Sequence, residues 1–308
     1  MIPRQIAILP KEFQKELQNE LQNELKYHRA KVLHSTSSTL WIEEDDGFEP
    51  AWADCVWRDV KGIEFDSITD AQKKLRAISP RWRYYGDLLN RRGALIAEKL
   101  TFKKKQEAFQ FPGTVPLASL PVFTLADQNL ILYSNSVSRP TLDGRIPFQE
   151  NRDTPPSRAY LKLWEALTIL GEWPKPGESV VDLGSSPGSW TWALSELKAN
   201  VLSLDRADLD EKVMRNRTIE FRRGDAFSFK PTPMDWVFSD VICFPEKLLE
   251  YVQTWLDSRH CERFVCNIKI TGEADPALIE KFQKLPHSRV LHVLNGKHEL
   301  TWIRHPKI

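Results

Sequence analysis

From residue 155 to the end of the chain, short apolar runs alternate with longer amphipathic segments, and this alternation restricts the possible folds most. The apolar runs are SVVDLG, ANVLSLD, IEFRRGDAF, MDWVFSDV, RFVCNIKI, SRVLHVL and ELTWIRH, and helical segments such as WTWALSELK and PEKLLEYVQTWL lie between several of them. Strands that alternate with helices form βαβ units, so the pattern predicts a mainly parallel sheet with helices on both faces. Only NGKH separates the last two runs, which predicts an antiparallel hairpin at the sheet edge.

The first half of the chain has a different organisation. Four apolar residues recur there at helical spacing: Phe13, Leu17, Leu21 and Leu25. This stripe favours an amphipathic helix lying on a small sheet, with a coiled-coil dimer as the alternative. The proline-rich break FPGTVPLASLP and the linker SRPTLDGRIPFQENRDTPPSR then place a domain boundary near residue 150. We therefore expect a smaller N-terminal α+β domain with its linker over residues 1–150 and an α/β domain over residues 151–308.

The first predicted strand of the second half ends in the turn GSSPGS, which we expect to hold a cofactor at the carboxyl ends of the strands. The turn lacks the G-x-G-x-x-G spacing of dinucleotide sites, which argues against NAD. Asp182 lies at the end of this strand, and Asp205, about twenty residues further on, is placed to bind ribose hydroxyls. Asp225 follows the third strand and is placed to accept a hydrogen bond from an adenine amino group. Three acids without a phosphate cradle favour S-adenosylmethionine, although each acid alone is compatible with a turn or capping role.

Composition excludes several classes of protein. The net charge of +1 gives no global polyelectrolyte signal. The four cysteines contain no C-x-x-C pair, and they fit reduced thiols better than a disulfide framework or a zinc site. No apolar run approaches the roughly 18 to 20 residues of a membrane span, and the apolar part of the N-terminus is too short for a secretory signal. We predict a cytoplasmic protein without a metal, and its oligomeric state stays open.

A local basic segment is the candidate contact for RNA. The stretch RWRYYGDLLNRRGALIAEKLTFKKK is dense in cations with aromatic residues among them, and phosphates bind cations whereas unstacked bases bind aromatic faces. The alternative is a solvated helix face with two buried tyrosines. The predicted RNA-binding residues are Arg81, Arg83, Arg91, Arg92, Lys103, Lys104 and Lys105.

The segments SRAYLKLWEAL and KPGESVVDLGSSPGSWTWAL resemble the FtsJ-type RNA ribose 2′-O-methyltransferases, in which an S-R-A-x-x-K-L helix precedes a D-L-G-x-x-P-G-G-W strand and turn. The resemblance covers roughly residues 155–305 and is greatest to the RlmM type, whose members methylate a cytidine ribose in large-subunit ribosomal RNA. It implies a Rossmann-like S-adenosylmethionine-dependent fold with an antiparallel final strand. The RlmM type carries a ferredoxin-like domain and a THUMP RNA-binding domain, and the N-terminal part of this chain has room only for a shortened THUMP-like domain.

The resemblance also implies the functional residues. The family's catalytic Lys-Asp-Lys-Glu set falls on Lys162, Asp240, Lys269 and Glu299. The cofactor positions fall on the residues of the turn and on the acids that surround it, namely Asp182, Gly184, Ser185, Ser186, Pro187, Gly188, Ser189, Trp190, Asp205, Asp225 and Asp240. Two positions depart from the family pattern: Ser189 replaces the second glycine of P-G-G-W, and Ala159 stands where the RlmM type has a polar residue.

The chemistry of methyl transfer explains this set. A ribose hydroxyl is a poor acid and needs a base, and a lysine serves as that base only when it is neutral. We expect the second lysine and the sulfonium of the cofactor to lower the pKa of Lys269. Lys269 is therefore assigned as general base and Lys162 as the residue that tunes it and contacts the hydroxyl, while Asp240 and Glu299 orient the lysines.

Two other functions remain open from the sequence. An RNA-binding paralogue without turnover is compatible with Ser189 and the reduced N-terminal domain, although the complete Lys-Asp-Lys-Glu set argues against it. An S-adenosylmethionine enzyme that acts on a small molecule or a protein is the other alternative. Paired lysines argue against that enzyme, because methylation of an amine or a carboxylate needs no such base.

Overall fold

The computed structural model describes residues 1–10, 14–43, 48–101, 108–115 and 118–308. The chain divides into two units by its internal contacts. The first unit contains residues 1–109 and 114–147, and the second contains residues 110–113 and 148–308.

The first unit is an α+β structure in which two mainly antiparallel sheets are present. Its strands are β1 (Gln5–Ile8), β2 (Val32–Ser35), β3 (Thr39–Ile42), β4 (Cys55–Arg58), β5 (Lys61–Glu64), β6 (Arg83–Tyr84), β7 (Val122–Asp127), β8 (Leu130–Ser134) and β9 (Ser136–Val137), and its helices are α1 (Gln14–Tyr27), α2 (Ile68–Ile78) and α3 (Asn90–Ala97). One sheet has the strand order β2-β3-β1-β4-β9, and the other has the order β5-β8-β7-β6 with β6 and β7 parallel.

The helices of the first unit bury their apolar faces in its core. The apolar stripe predicted for α1 is buried at Leu17, Leu21 and Leu25, whereas Phe13 lies outside the described residues. Helix α2 begins after Ser67, whose side chain accepts a hydrogen bond from the amide of Asp70 and so caps the helix. Its apolar face joins a core that is built around the buried residues Leu75, Trp82, Ile96, Phe123 and Ile131.

The second unit has the predicted alternation of strands and helices. Its strands are β10 (Ser179–Leu183), β11 (Asn200–Asp205), β12 (Ile219–Arg223), β13 (Trp236–Ser239), β14 (Phe264–Lys269), β15 (Ser288–Leu291) and β16 (Glu299–Arg304). Its helices are α4 (Tyr160–Leu170), α5 (Ser189–Glu196), α6 (Glu211–Met214), α7 (Pro245–Ser258) and α8 (Pro276–Gln283), with a short 3₁₀ turn over Ala226–Ser228. Proline stands at the start of α7 and α8, where its missing N–H costs no hydrogen bond.

The strands of the second unit form one sheet with the order β12-β11-β10-β13-β14-β16-β15. The first five are parallel, and β16 runs antiparallel between β14 and β15. The central strands are buried on both faces, as expected for a sheet covered by helices on each side. The predictions of a Rossmann-like α/β fold and an antiparallel final strand are confirmed.

The strand order determines where a ligand can bind. The chain moves from β10 outward through β11 to β12 and then returns to the other side of β10 with β13. Ligands of open α/β sheets bind at the carboxyl ends of the strands where this direction reverses. The turn after β10 and the residues that follow β13 lie at this point.

The four cysteines form no disulfide bond. The thiols of Cys55, Cys243, Cys261 and Cys266 are all unpaired, and burial raises the pKa of Cys55 to about 11, against smaller opposing effects from Arg139 and Ser138. In the described ranges, no helix is both long and apolar enough to cross a membrane.

Candidate active site

Four charged side chains meet at the carboxyl edge of the sheet, and the strand register explains their meeting. Asp240 comes directly after β13, and Lys269 is the last residue of β14. The antiparallel pairing of β14 with β16 puts Glu299 directly opposite Lys269. Lys162 lies on α4 and reaches the same place. Helix α4 packs on α5, where the ring of Tyr160 makes an edge-to-face contact with an aromatic ring of α5.

These four side chains form a closed ring of alternating charge. Lys162 Nζ lies 2.8 Å from Asp240 Oδ2 and 2.9 Å from Glu299 Oε1. Lys269 Nζ donates hydrogen bonds to Asp240 Oδ1 and Glu299 Oε2. The side chains of Lys162 and Glu299 are each only 10% exposed, so the ring is largely withdrawn from water. Because two cations face two anions, its net charge is zero when all four groups are ionised.

A neutral pair of residues supports the carboxylate of Asp240. Asn267 Nδ2 donates to Asp240 Oδ1 at 2.8 Å, and Thr301 Oγ1 donates to Asn267 Oδ1 at 2.7 Å. Asn267 lies two residues before Lys269 and therefore on the same face of β14, and Thr301 is its direct partner across β16. The sequence analysis assigned no role to this pair, although the period of two along β14 was a signal for it.

The pKa shifts in the ring follow from burial and paired charges. Burial raises the pKa of Asp240, but the charges of Lys162 and Lys269 outweigh burial and hold the pKa below its ordinary value. Burial lowers the pKa of Lys269, but Asp240 and Glu299 outweigh burial and hold the pKa above its ordinary value. The expected lowering of the Lys269 pKa is therefore wrong for the chain alone, because two carboxylates bridge the ammonium groups.

A buried carboxylate in α4 holds the loop before β16. Glu165 lies one turn after Lys162, and its carboxylate accepts hydrogen bonds from the amides of Leu294 and Asn295 at 2.8 and 3.1 Å and from Asn295 Nδ2 at 2.8 Å. The loop leads directly to Glu299. The side chain thus couples the helix that carries one member of the ring to the strand that carries another, a role that the sequence analysis missed.

The predicted cofactor turn connects β10 to α5 and borders an open cleft. Gly184 and Gly188 have φ angles of +76° and +110°, which favour glycine. A side chain at position 184 would meet Val241 Cγ2 at 2.5 Å, so a close approach of two chain segments also requires this glycine. Asp205 Oδ2 accepts a hydrogen bond from the amide of Ser186 at 2.9 Å. The cleft is lined by Ser157, Ala159, Asp182, Gly184, Ser185, Ser186, Pro187, Ser189, Trp190 and Asp240.

Ser189 joins the turn to the segment before α4. Its hydroxyl accepts a hydrogen bond from the amide of Ser157 at 3.0 Å and lies 2.8 Å from the hydroxyl of Ser157. The indole of Trp190 donates to the carbonyl of Ala159 at 3.0 Å. The two departures from the family pattern, Ser189 and Ala159, therefore belong to one hydrogen-bonded contact between the two motifs.

Asp182 is buried in β10 beneath this turn. Its Oδ2 accepts a hydrogen bond from Thr191 Oγ1 at 2.6 Å, and Thr191 Oγ1 also lies 3.0 Å from Ser203 Oγ. Its other oxygen, like Ser185 Oγ, has no partner among the described residues. Burial raises the pKa of Asp182 to about 7, with Thr191 opposing and Asp240 adding to the rise. A neutral carboxyl group can thus lie at the base of the cleft.

Asp225 lies away from the ring of charges. It follows β12, its Oδ1 accepts a hydrogen bond from the amide of Phe227 at 3.4 Å, and its Oδ2 lies 3.2 Å from an Arg206 nitrogen. Its side chain is 38% exposed. Of the residues that the structure describes, neither Asp205 nor Asp225 lines the cleft. Asp205 adjoins the cleft through its hydrogen bond to Ser186.

The basic segment of the first unit has members with different environments. Arg81 and Arg91 are exposed. Arg83 donates to the carbonyls of Leu120 and Pro140 at 2.9 and 2.8 Å, and burial lowers its pKa. Arg92 donates to the carbonyl of Gln128 and lies over the ring of Phe65. Lys103, Lys104 and Lys105 lie outside the described residues.

Two curated proteins to which this chain is similar have the same name. A relative from Xanthomonas campestris pv. campestris strain B100, named Ribosomal RNA large subunit methyltransferase M, is 33% identical over 166 residues, which cover 50% of this chain and 48% of that protein. One of the same name from Halorhodospira halophila is 39% identical over 119 residues, which cover 37% of this chain and 35% of that protein. The chain thus matches about half the length or less of these relatives.

Solved structures are less similar to this chain. A putative RNA methyltransferase from Pyrococcus horikoshii is 18% identical, with a TM-score of 0.34 over 51% of this chain and 85% of that chain. This likeness is too weak to add to the assignment.

The family itself is identified by a match to half of the chain. Residues 155–308 of the 308 match the family model described as FtsJ-like methyltransferase. The match begins before α4 and includes the cleft and the ring of charges. The predicted resemblance and the predicted cofactor are both confirmed. The chain belongs to the FtsJ-like methyltransferase family, whose members use S-adenosylmethionine as the methyl donor.

Proposed function

We propose that this chain methylates a ribose 2′-hydroxyl in RNA, with large-subunit ribosomal RNA as the substrate. Family membership and the names of the relatives support this function. The observation that carries it is the closed ring of Lys162, Asp240, Lys269 and Glu299 beside the cleft. A hydroxyl acceptor needs a base, and the ring holds two amines where the cleft meets the carboxyl edge of the sheet.

Lys269 is the general base in this proposal. It lies at the end of β14 between two carboxylates, which hold its amine in one orientation. Lys162 contacts the hydroxyl and shares the same two carboxylates. When Lys269 accepts the hydroxyl proton, Asp240 and Glu299 stabilise the ammonium that forms, so the ring returns to zero net charge.

The charge state of Lys269 has to change before it can act. In the chain alone the two carboxylates hold its pKa above the ordinary value, so the amine is protonated at neutral pH. S-adenosylmethionine supplies, when bound, an activated methyl group and a positive sulfonium charge. A cation near Asp240 weakens the negative potential at Lys269 and lowers its pKa. Binding of the positively charged donor and deprotonation of Lys269 are therefore coupled in this proposal.

The cleft has groups that fit such a donor. Asp182 and Ser185 each present a buried oxygen without a partner among the described residues, and both residues line the cleft. Asp205, at the end of β11, is placed for the ribose hydroxyls of the cofactor. We assign the turn from Gly184 to Trp190 to the methionine part of the cofactor, Asp225 to its adenine, and Asp240 to the neighbourhood of the methyl group.

The first unit is the proposed RNA-binding domain. Its exposed cations include Arg81 and Arg91, and cations that contact phosphates give affinity that falls with salt. Reversing the charge of Arg91, Arg92 and Lys103 to Lys105 should weaken RNA binding and flatten its salt dependence, as measured by RNA titration at several salt concentrations. Unchanged binding would move the RNA contact to the cleft around Lys162.

The test of the function is a labelling experiment. The wild type, Lys269→Ala and Lys269→Arg are incubated with methyl-labelled S-adenosylmethionine and total RNA from a strain that lacks the gene. Alkali-resistant label with the wild type and none with either variant is the expected result, because a 2′-O-methyl group blocks cleavage of the adjacent phosphodiester. Cofactor binding without label in any RNA would contradict the proposal and favour an RNA-binding paralogue.

A further inference from the structure

The loop that follows β13 carries the two most exposed large apolar side chains in the described part of the second unit. Ile242 is 90% exposed and Phe244 is 72% exposed, whereas the next such residue of the unit, Met214, is 49% exposed. The loop starts directly after Asp240 and ends at Pro245, the first residue of α7. Apolar side chains that are grouped and exposed beside a polar site mark a binding surface.

Both ends of this loop are packed against the site. Val241 lies against Gly184 of the cofactor turn so closely that a side chain at position 184 would overlap it. At the other end, Pro245 lines a small pocket with Ile268, which comes directly before Lys269. Ile242 and Phe244 thus project from a loop that is held on each side.

The middle of the loop lies within electrostatic reach of the ring. Burial raises the pKa of the Cys243 thiol, and the positive charges of Lys247 and Lys269 oppose this rise. Lys247 is exposed in the first turn of α7, with its Nζ 4.1 Å from the centre of the Phe227 ring. The apolar loop is therefore flanked by the proposed base on one side and by an exposed cation on the other.

We propose that Ile242 and Phe244 form a platform on which the base of the target nucleotide stacks while its ribose is held at the ring of charges. This inference rests on the proposed function. A ribose that enters the cleft separates its base from the neighbouring bases, and unstacked bases of RNA are commonly held on aromatic side chains. The exposed cation of Lys247 is placed to contact a phosphate of the same strand.

The platform accounts for a feature that packing does not explain. Phe244 is the N-cap residue of α7, and its side chain makes no capping hydrogen bond. Its ring is not covered by any part of the chain that the structure describes, although an aromatic ring contributes to stability mainly when it is buried. Stacking with a base would bury this ring during catalysis.

The test compares RNA with and without bases. A short single-stranded RNA of mixed sequence and the same strand in abasic form are each titrated into the wild type and four variants. The variants are Phe244→Ala, Phe244→Tyr, Ile242→Ala and Met214→Ala. Stacking of one base is lost in Phe244→Ala, so its affinity for the base-bearing strand should fall about 5- to 150-fold. Its affinity for the abasic strand should not change. Phe244→Tyr should retain wild-type affinity, Ile242→Ala should show a smaller loss, and Met214→Ala should show none.

Other outcomes would overturn the platform. Equal binding of the base-bearing strand by wild type and Phe244→Ala would exclude stacking on this ring, and an equal loss for both strands would assign the loop to the RNA backbone. Weaker S-adenosylmethionine binding by Phe244→Ala, measured by calorimetry, would assign the ring to the cofactor. If Phe244→Ala weakens binding of the base-bearing strand alone but the wild type transfers no label to total RNA, only the proposed function is rejected. Labelled total RNA with unchanged binding by Phe244→Ala would reject only the platform.

Discussion

Asp182 and Asp240 lie at the ends of two neighbouring strands, β10 and β13, and burial acts on both, yet their pKa values shift in opposite directions. Burial raises the pKa of Asp182 to about 7. The hydrogen bond from the Thr191 hydroxyl opposes this rise but does not cancel it. Burial also raises the pKa of Asp240, but two lysines reverse this effect. The same residue type thus has a raised pKa at one strand end and a lowered pKa at the next.

The difference shows how the site separates two tasks. The carboxyl group of Asp182 lies beneath the predicted cofactor turn with a hydroxyl as its partner, whereas the carboxylate after β13 holds two ammonium groups in place. Low exposure makes a carboxylate costly unless a cation is paired with it. Variants of Lys269, Asp240 and Asp182 test this difference directly, and variants of Glu165 and Ser189 change contacts next to the two groups.

The largest expected effect is on the rate of methyl transfer by Lys269→Arg. Arginine keeps the positive charge of the ring but does not lose a proton in proteins. Loss of a general base costs about 10²- to 10⁴-fold in rate. Single-turnover rates with labelled S-adenosylmethionine measure this loss. The wild-type kcat/KM for S-adenosylmethionine, which reports the free enzyme, should rise with pH from neutral to alkaline conditions, because in the chain alone the carboxylates hold the pKa of Lys269 above its ordinary value. A kcat/KM independent of pH in this range would contradict the assignment.

The next effect is on stability, through Asp240→Asn. This variant leaves two buried ammonium groups with one carboxylate between them, and breaking a buried ion pair costs about 3 to 5 kcal/mol in the free energy of unfolding. Urea denaturation at neutral pH measures the loss. The matched control is Glu220→Gln, whose pair with Arg222 is exposed on β12 and should contribute about 0 to 1 kcal/mol. Equal losses for the two variants would show that the ring does not behave as a buried pair.

Asp182→Asn is expected to change stability in a direction that depends on pH. The folded-state pKa of about 7 lies above the ordinary value of 3.8, so the folded chain binds the proton more tightly than the unfolded chain. The wild type therefore loses stability as pH rises from about 4 to about 7, by up to about 1.4 kcal/mol per pH unit. Asparagine keeps an acceptor for Thr191 without this penalty. Melting temperatures of both proteins at pH 5 and pH 8 should diverge, with the variant relatively more stable at pH 8, and parallel changes would contradict the raised pKa.

Glu165→Gln should have a smaller effect, and it should fall more on turnover than on the fold. The amide keeps one acceptor oxygen but removes the charge that holds the amides of Leu294 and Asn295, which lowers stability by about 1 to 2 kcal/mol. Because that loop leads to Glu299, kcat should fall while the dissociation constant for S-adenosylmethionine stays unchanged. Glu165→Asp, which keeps the charge on a shorter side chain, should recover part of kcat. A variant with wild-type kcat would leave Glu165 with a structural role only.

The smallest effect is expected for Ser189→Gly, which restores the glycine of the family pattern. The variant removes the hydroxyl that contacts Ser157, and a typical hydrogen bond contributes about 0.5 to 1.5 kcal/mol. Urea denaturation should show a loss of this size, and calorimetry should show whether affinity for S-adenosylmethionine changes with it. Unchanged stability in Ser189→Gly would mean that the contact between the two motifs contributes nothing measurable.

Much of the second unit could be predicted from local patterns. The period of apolar residues located the strands and helices, and the short separation of the last two runs located the antiparallel hairpin. The acids at strand ends and the glycine turn could be placed at one edge of the sheet, because parallel strands all end there. The first unit was predicted less completely, since its short strands pair across long separations. Arg83 belongs to the predicted basic segment, but its guanidinium is committed to backbone carbonyls of this unit.

The sequence by itself determined the class of fold, the family motifs and the four charged residues of the ring. Only the tertiary structure decided that Lys269 faces Glu299 across two antiparallel strands, that Ser189 contacts Ser157, and that Phe244 stays exposed beside the site. It also decided the directions of the pKa shifts, including the raised pKa of Lys269 where the sequence predicted a lowered one. The physical reason is that strand register and burial join residues distant in the chain, and a pKa depends on these neighbours rather than on the local sequence.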